Sequence, residues 1–101
     1  MDPITLVVKD AFVIRGRGVL VYPAVDIDHA KPARLTVDLA YPDGTTRQVP
    51  GQLMIEFQIL LNGGRRTDVL VVLDESVGAV PPGTTLTARI VDHDGPGNAT
   101  E

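Results

Sequence analysis

The stretch Arg34-Leu35-Thr36-Val37-Asp38-Leu39-Ala40-Tyr41 decides the fold class, because its side chains alternate in character with a period of two. Positions 35, 37, 39 and 41 are apolar, and Thr36 and Asp38 lie between them. Successive side chains of a β-strand point to opposite faces, so this pattern is typical of a strand with one face on a core and the other in water. The stretch therefore predicts a half-buried strand.

The same period continues after a turn on the C-terminal side. Tyr41-Pro42-Asp43-Gly44 contains the proline, aspartate and glycine that hairpin turns favour. Residues 52–61 then alternate again, and this segment is long enough to bend across two parts of a barrel. Its apolar side carries Leu53, Ile55, Phe57, Ile59 and Leu61.

Further segments rich in Val, Ile, Leu and Thr predict strands over 4–8, 11–14, 19–25, 68–73 and 84–91. Gly-rich and Pro-rich turns separate them, at Asn62-Gly63-Gly64 and Pro81-Pro82-Gly83. Residues 74–80 favour a loop because of Gly78, with a short helical turn as the alternative. We expect an all-β fold: a small antiparallel barrel of six or seven strands, or a barrel that opens into a sandwich.

Length and composition set the remaining limits. The chain has 101 residues, 44% of them hydrophobic, and its net charge is -4. We expect one domain over residues 1–91 and a flexible tail over 92–101. The chain has no cysteine, no run of basic residues leading into an apolar segment at its start, and no apolar stretch of membrane-spanning length. The sequence therefore indicates a cytoplasmic protein without a membrane segment.

Residues 10–21, Asp-Ala-Phe-Val-Ile-Arg-Gly-Arg-Gly-Val-Leu-Val, resemble the start of the second domain of translational GTPases such as elongation factor Tu. Residues 67–73 and 82–86 are similar to later strands of that domain, so the resemblance covers about 4–91. It implies a barrel of the translation-protein type. The chain has no Gly-x-x-x-x-Gly-Lys-Ser/Thr loop, so it is not a GTPase by itself. Such a barrel without its usual neighbouring domains would act by docking to another protein.

Two arginine-bearing turns are candidate partner-binding sites. They are Arg15-Gly16-Arg17-Gly18 and Gly63-Gly64-Arg65-Arg66. A guanidinium binds carboxylates and phosphates through paired hydrogen bonds, and glycine turns can present it to a partner. The alternative is that these are solvated loop charges, or that Arg17 pairs with Asp10 or Asp68.

Apolar residues on the expected polar faces form a second candidate. Met54 and Leu60 interrupt the polar side of residues 52–61, and Leu20 and Tyr22 interrupt that of residues 19–25. These side chains either form an exposed patch for a partner or a second copy, or are covered because the sheet is buried on both faces.

The sequence gives little support for chemistry. Ser76 is the one serine and lacks a Gly-x-Ser-x-Gly elbow, and alternation places Glu56 on a polar face. The segments around His29 and His93 are acidic and would hold a divalent metal only if they met in space; otherwise their carboxylates serve turns. We therefore expect no catalysis and no cofactor.

These observations together predict a non-catalytic module that binds a protein partner or a second copy through the loops of a β-barrel. Two alternatives remain: an RNA-binding or translation-associated domain that uses the same arginines, and a barrel that binds a small molecule or a metal. The acidic net charge opposes general attraction to nucleic acid, so RNA binding would need a local basic patch.

Overall fold

The computed structural model describes residues 3–27 and 31–93, and this part of the chain is all-β. Seven antiparallel strands form one sheet, and a short 3₁₀ helix (Glu75–Val77) follows the sixth. The strands of the described residues are β1 (Ile4–Val7), β2 (Asp10–Ile14), β3 (Gly18–Val25), β4 (Ala33–Ala40), β5 (Thr46–Ile59), β6 (Arg65–Leu73) and β7 (Thr85–His93). No helix in these ranges is long and apolar enough to span a membrane. Residues 94–101 lie outside the described residues, so the tail stays a prediction.

The order β1-β7-β4-β5-β6-β3-β2 places the first two strands at opposite ends of the sheet although they are consecutive in the chain. The sheet therefore has to curl. The Val8 N–H donates to the Thr84 carbonyl oxygen at 2.8 Å, and the Lys9 N–H donates to the Tyr22 carbonyl oxygen at 2.9 Å. These two residues link both ends of the sheet. Within the described strands β1 and β2 do not pair, so the barrel-like sheet is not a closed ladder.

Strand β4 has the predicted alternation. Leu35, Val37 and Leu39 are buried, and the positions between them are not fully buried. Strand β5 spans two parts of the sheet, as its length predicts: it pairs with β4 up to Leu53 and with β6 from Gly51. It begins at Thr46 rather than at position 52, because the tight turn after β4 lets pairing resume at once opposite Ala40.

Gly51 lies where β5 passes from one neighbouring strand to the other. A Cβ atom at this position would lie 3.0 Å from the Val37 Cγ2 atom and 3.2 Å from the Val72 carbonyl oxygen. The close approach of β4 and β6 at this crossing therefore leaves little room for a side chain.

The core lies on the inner face of the curled sheet and consists of aliphatic side chains. Its most completely buried large side chains are Leu39, Leu53, Leu73, Leu86, Val8, Val19, Val21, Val37 and Val71. Thr84 is the buried polar residue of the described part, and its hydroxyl donates to the Pro81 carbonyl oxygen at 2.8 Å. The core contains no buried side-chain polar atom without a hydrogen-bond partner in this part of the chain.

Two aspartates fix turns at the end of the barrel that carries the β4–β5 turn. Asp43 accepts hydrogen bonds from the hydroxyl and the N–H of Thr45, and these bonds hold the pKa of Asp43 below its ordinary value. Asp74 accepts hydrogen bonds from the hydroxyl and the N–H of Ser76 at the start of the 3₁₀ helix, which lowers the pKa of Asp74 in the same way. Residues 74–80 thus contain the short helical turn, and it ends at Gly78.

Candidate functional site

The two arginine-bearing turns lie at opposite ends of β6. Val19, just after the first turn, is opposite Leu73 at the end of β6, whereas Ile59 is opposite Arg65 at its beginning. Eight residue steps of extended chain separate these positions, which corresponds to roughly 26 Å. The structure therefore does not combine the two turns into one binding site.

The turn of residues 15–18 is engaged with the rest of the chain. Arg17 Nη2 lies 2.6 Å from Glu56 Oε1, and the Gly16 N–H donates to Glu75 Oε1 at 3.0 Å. The alternative that Arg17 pairs with Asp10 or Asp68 is wrong, because its ion-pair partner is Glu56, and Asp68 is paired with Arg66 at 3.1 Å. Arg15 is exposed and has no ion pair within the described ranges.

Two acidic residues, Glu56 and Asp68, form the ion pairs with Arg17 and Arg66. The two carboxylates are direct partners across β5 and β6. Like charges that face each other across strands are destabilising. Arg17 reaches Glu56 and Arg66 reaches Asp68, so each negative charge has a positive neighbour. Arg17 therefore links the 15–18 turn to β5 through Glu56.

Arg65 and Arg66 are strand residues and not part of a mobile turn. The turn closes between Leu60 and Gly64: the Leu60 N–H donates to the Gly64 carbonyl oxygen at 2.7 Å, and the Gly63 N–H donates to the Leu60 carbonyl oxygen at 2.9 Å. The Asn62 side chain accepts from the Gly64 N–H at 2.8 Å. Because the turn is this short, pairing resumes at Arg65, three residues earlier than predicted.

Beyond the barrel, β5 and β6 continue as a two-stranded arm, formed by residues 54–68. Strand β4 ends with Ala33 opposite Leu53, and the last pairing of β3 with β6 is Val25 with Val69. Among the described residues, the two strands of the arm pair only with each other past these points. The alternation placed Ile59 and Leu61 on a core face, which is wrong, because both side chains are exposed, past the last pairing of the described strands β3 and β4.

The tip of the arm exposes aliphatic side chains. Ile59 is 82% exposed, Leu60 is 39% exposed, and Leu61, inside the turn, is fully exposed. Arg65, opposite Ile59, is exposed and has no ion pair in the described part of the chain. The arm tip, which we define as residues 59–66, thus combines three solvent-facing aliphatic groups with guanidinium groups.

The predicted apolar patch is split. Tyr22 and Met54 pack against a small cluster on the outer face of the sheet, and Leu60 lies at the arm tip instead. The buried members of this outer cluster are Leu20, Leu70 and Val72. Tyr22 and Met54 are half-buried, so they cover the outer cluster more than they expose a surface.

Strand β2 carries exposed apolar residues that the sequence did not identify as a site. Phe12 is 53% exposed and contacts the Tyr22 ring edge-on, with ring centroids 5.7 Å apart, and Val13 is 50% exposed. The sequence holds one indication: residues 11–14 are all apolar, although a short strand with one buried face needs apolar side chains only at alternate positions.

A groove of about 530 Å³ lies on the outer side of the sheet between the 15–18 turn and β4. Its lining includes both basic and acidic side chains. The basic ones are Arg17 and Arg34, and the acidic ones are Asp74 and Glu75. Arg17 already contacts Glu56, and the Gly16 N–H already contacts Glu75. This mixture of charges that are already partnered does not select a ligand of either sign.

The structure does not assemble a chemical site in the part that it describes. No group of three or more His, Cys, Asp or Glu residues is placed to hold a metal there. His29 and the side chain of His93 lie outside the described residues, so whether their segments meet is untested. Ser76 donates its hydroxyl hydrogen to Asp74, and Glu56 is paired with Arg17.

Comparisons with known proteins do not assign this geometry to a family. No protein-family model matches the chain. No curated protein and no solved structure matches it either. The relationship to the second domain of translational GTPases therefore stays a hypothesis that depends on the residues quoted for it.

Proposed function

We propose that this domain is a non-catalytic binding module and that the arm tip is its contact with a protein partner. The observation that carries the proposal is the exposure of Ile59, Leu60 and Leu61 at the end of a two-stranded arm that leaves the barrel. Burying an aliphatic side chain of this size on binding gains about 1.5–3 kcal/mol. An arm that ends in several such groups is a surface suited to insertion into an apolar cleft.

The arginines define the chemistry of the partner further. Arg65 and Arg66 follow the aliphatic residues on the returning strand, and Arg65 projects where no carboxylate of the described chain meets it. Guanidinium groups at the edge of an apolar contact favour carboxylates on the other side. The partner expected for this arm tip is a protein with an apolar cleft bordered by acidic residues.

The resemblance to the second domain of translational GTPases supports the same reading. In that family the barrel is a middle domain, so it works by contact with its neighbours. A domain of this kind without a phosphate loop would act by docking to another protein. RNA binding through the same arginines is the second candidate, and its test is the dependence of binding on salt.

The experiment is affinity capture with the full chain, followed by binding measurements with the purified species it retains. Wild type is compared with Leu60→Ser, Leu61→Ser and Arg65→Gln. Two matched controls carry equivalent changes away from the arm: Val7→Ser, at a position that is 57% exposed, and Arg15→Gln at the other end of the barrel. We expect each leucine change to weaken binding of the purified partner about tenfold or more, with both controls unchanged.

The outcomes separate the candidates. Loss of a protein partner in the arm variants alone supports docking through the arm tip. A retained RNA whose affinity falls steeply with salt would replace the protein proposal with the nucleic-acid one. Equal binding by wild type and all three arm variants would contradict the proposal.

A further inference from the structure

The turn of the arm tip contains the one Asn-Gly pair of the sequence. The chain has two asparagines: Asn62 precedes Gly63, whereas Asn98 precedes Ala99. An asparagine side chain reacts when the backbone nitrogen of the next residue attacks its carboxamide carbon and closes a five-membered ring. Glycine leaves that nitrogen least hindered, because it has no Cβ atom. The sequence of the turn therefore favours a reaction of Asn62 with its own backbone.

The structure activates the carboxamide of Asn62 for this attack. Its Oδ1 atom accepts a hydrogen bond from the Gly64 N–H at 2.8 Å. Negative charge develops on Oδ1 as the nitrogen adds to the carbon, and a backbone N–H at this distance stabilises such a charge. The contact spans two residues, so it does not require the two strands of the arm to stay paired.

The surroundings of the turn leave room for the ring. Asn62 is exposed, and a Cβ atom on Gly63 would meet nothing within 4 Å. The Gly63 N–H donates to the Leu60 carbonyl oxygen at 2.9 Å, so this bond has to open before the nitrogen attacks. Among the described residues, the strands of the arm pair only with each other here, and a chain segment of this kind opens locally at little cost in free energy.

The β4–β5 turn contains a similar arrangement with a different reacting group. Asp43 Oδ1 accepts a hydrogen bond from the Thr45 N–H at 2.9 Å, and a Cβ atom on Gly44 would also meet nothing within 4 Å. An ionised carboxylate does not form the ring, because it would have to expel an oxide ion. The hydrogen bonds from Thr45 hold the pKa of Asp43 below its ordinary value, so this carboxyl group is ionised at neutral pH.

We propose that Asn62 deamidates spontaneously and that Asp43, in the similar turn, does not react. The Gly63 nitrogen forms a bond to Asn62 Cγ, and the carbon–nitrogen bond of the carboxamide breaks. The proton from the Gly63 nitrogen leaves with the amino group as ammonia. Water then adds to one of the two carbonyl carbons of the succinimide ring and returns a proton to the nitrogen. The product is aspartate or isoaspartate at position 62, and water is the only co-reactant.

The consequence for binding rests on the proposed function. Residues 59–66 contain two arginines and no acidic residue, so a new carboxylate cancels one of two positive charges. Isoaspartate also lengthens the backbone by one carbon inside the turn that Leu60 and Gly64 close. A cleft bordered by acidic residues repels the new carboxylate. Deamidation thus converts the arm tip into a form that binds this partner more weakly.

The test of the reaction is incubation of the full chain in warm neutral buffer, followed by peptide mapping that separates asparagine, aspartate and isoaspartate. We expect both products at position 62 and no isoaspartate at position 43. The rate should be within about tenfold of that of a synthetic peptide of residues 59–66, because the turn opens easily. Asn62→Gln is the control, because its longer side chain closes a six-membered ring more slowly, and it should stay unmodified.

Two results would overturn the reaction: an intact Asn62 in the full chain while the peptide reacts, and equal yields of isoaspartate at positions 43 and 62. Its consequence is measured with the purified protein that wild type retains in affinity capture. Asn62→Asp should bind this protein about tenfold more weakly, and Asn62→Gln should bind it as wild type does. Unchanged binding by Asn62→Asp would overturn the consequence alone. Unchanged binding by Leu60→Ser would instead contradict the proposed function.

Discussion

Gly18 ends the first arginine-bearing turn in a conformation that excludes other residues. Its φ angle is 125°, and a Cβ atom there would lie 2.3 Å from the Leu73 carbonyl oxygen. That oxygen belongs to the backbone of β6 and cannot rotate away. Gly18→Ala must therefore separate β3 from β6, and we expect it to lower the free energy of unfolding by more than about 2 kcal/mol, measured by urea denaturation.

Gly16 provides the matched control in the same turn. Its φ angle is 84°, and a Cβ atom there would meet nothing within 4 Å. Gly16→Ala carries only the strain of the left-handed conformation, so its expected cost is about 1 kcal/mol. If both variants lost the same stability, the contact with Leu73 would not be the reason that residue 18 is glycine.

For single residues, the sequence predicted the turns but not the ion-pair partners of the arginines in them. Two glycines around Arg17 are visible as a tight reversal, because the need for positive φ is local. Arg17 and Glu56 are 39 positions apart in the sequence, and their contact depends on how β5 and β6 are aligned. Local sequence does not specify that alignment, so the sequence does not distinguish Asp68 from Glu56 as the partner of Arg17. The structure pairs Asp68 with Arg66 instead.

The base of the arm carries an ion pair that connects it to another part of the barrel. At its base Glu56 faces Asp68, and Arg17 connects Glu56 to the 15–18 turn at the end of the barrel. Removing the charge of Arg17 leaves two carboxylates opposite each other, with Arg66 beside Asp68 and no arginine on Glu56 from the 15–18 turn. Arg17→Met should change overall stability by less than about 1 kcal/mol, because the pair is solvent-exposed, but amide hydrogens of the arm should exchange faster.

Hydrogen exchange followed by mass spectrometry measures this effect on the arm peptides. The matched control is Arg89→Met, which removes an exposed pair between Arg89 and Asp38, 3.2 Å apart, on β7 and β4. We expect that variant to leave exchange in the arm unchanged. Equal acceleration in both variants, or none with Arg17→Met, would show that the pair does not hold the arm.

The identity of the elements was more predictable than their ends. The alternation in β4 follows from one buried face, and the structure confirms it at Leu35, Val37 and Leu39. The exposure of Ile59 and Leu61 could not be predicted, because it follows from where β4 stops opposite Leu53. The same alternation that places a side chain in a core places it in water when the neighbouring strand has ended.

For the molecule as a whole, the decisive feature is how the sheet returns to its own start. The chain passes from β1 at one end of the sheet to β2 at the other through residues 8 and 9. The Val8 carbonyl oxygen accepts the Gly83 N–H at 2.8 Å, and the Val8 side chain is 1% exposed within the core. Many alternating strands predict a barrel, but only the pairing shows that residues 8 and 9 join both edges: Val8 bonds beside β7, and Lys9 bonds to Tyr22 of β3.

Val8 should therefore contribute more to stability than its neighbour of the same type. Val8→Ala leaves a cavity at the place where the two ends of the sheet meet, and we expect it to cost about 2 kcal/mol of unfolding free energy. Val7→Ala changes a side chain that is 57% exposed and should cost less than about 1 kcal/mol. Both are measured by urea denaturation at one pH. Equal losses would mean that the Val8 side chain is not packed in the core, because a buried valine leaves a cavity when it is shortened and an exposed one does not.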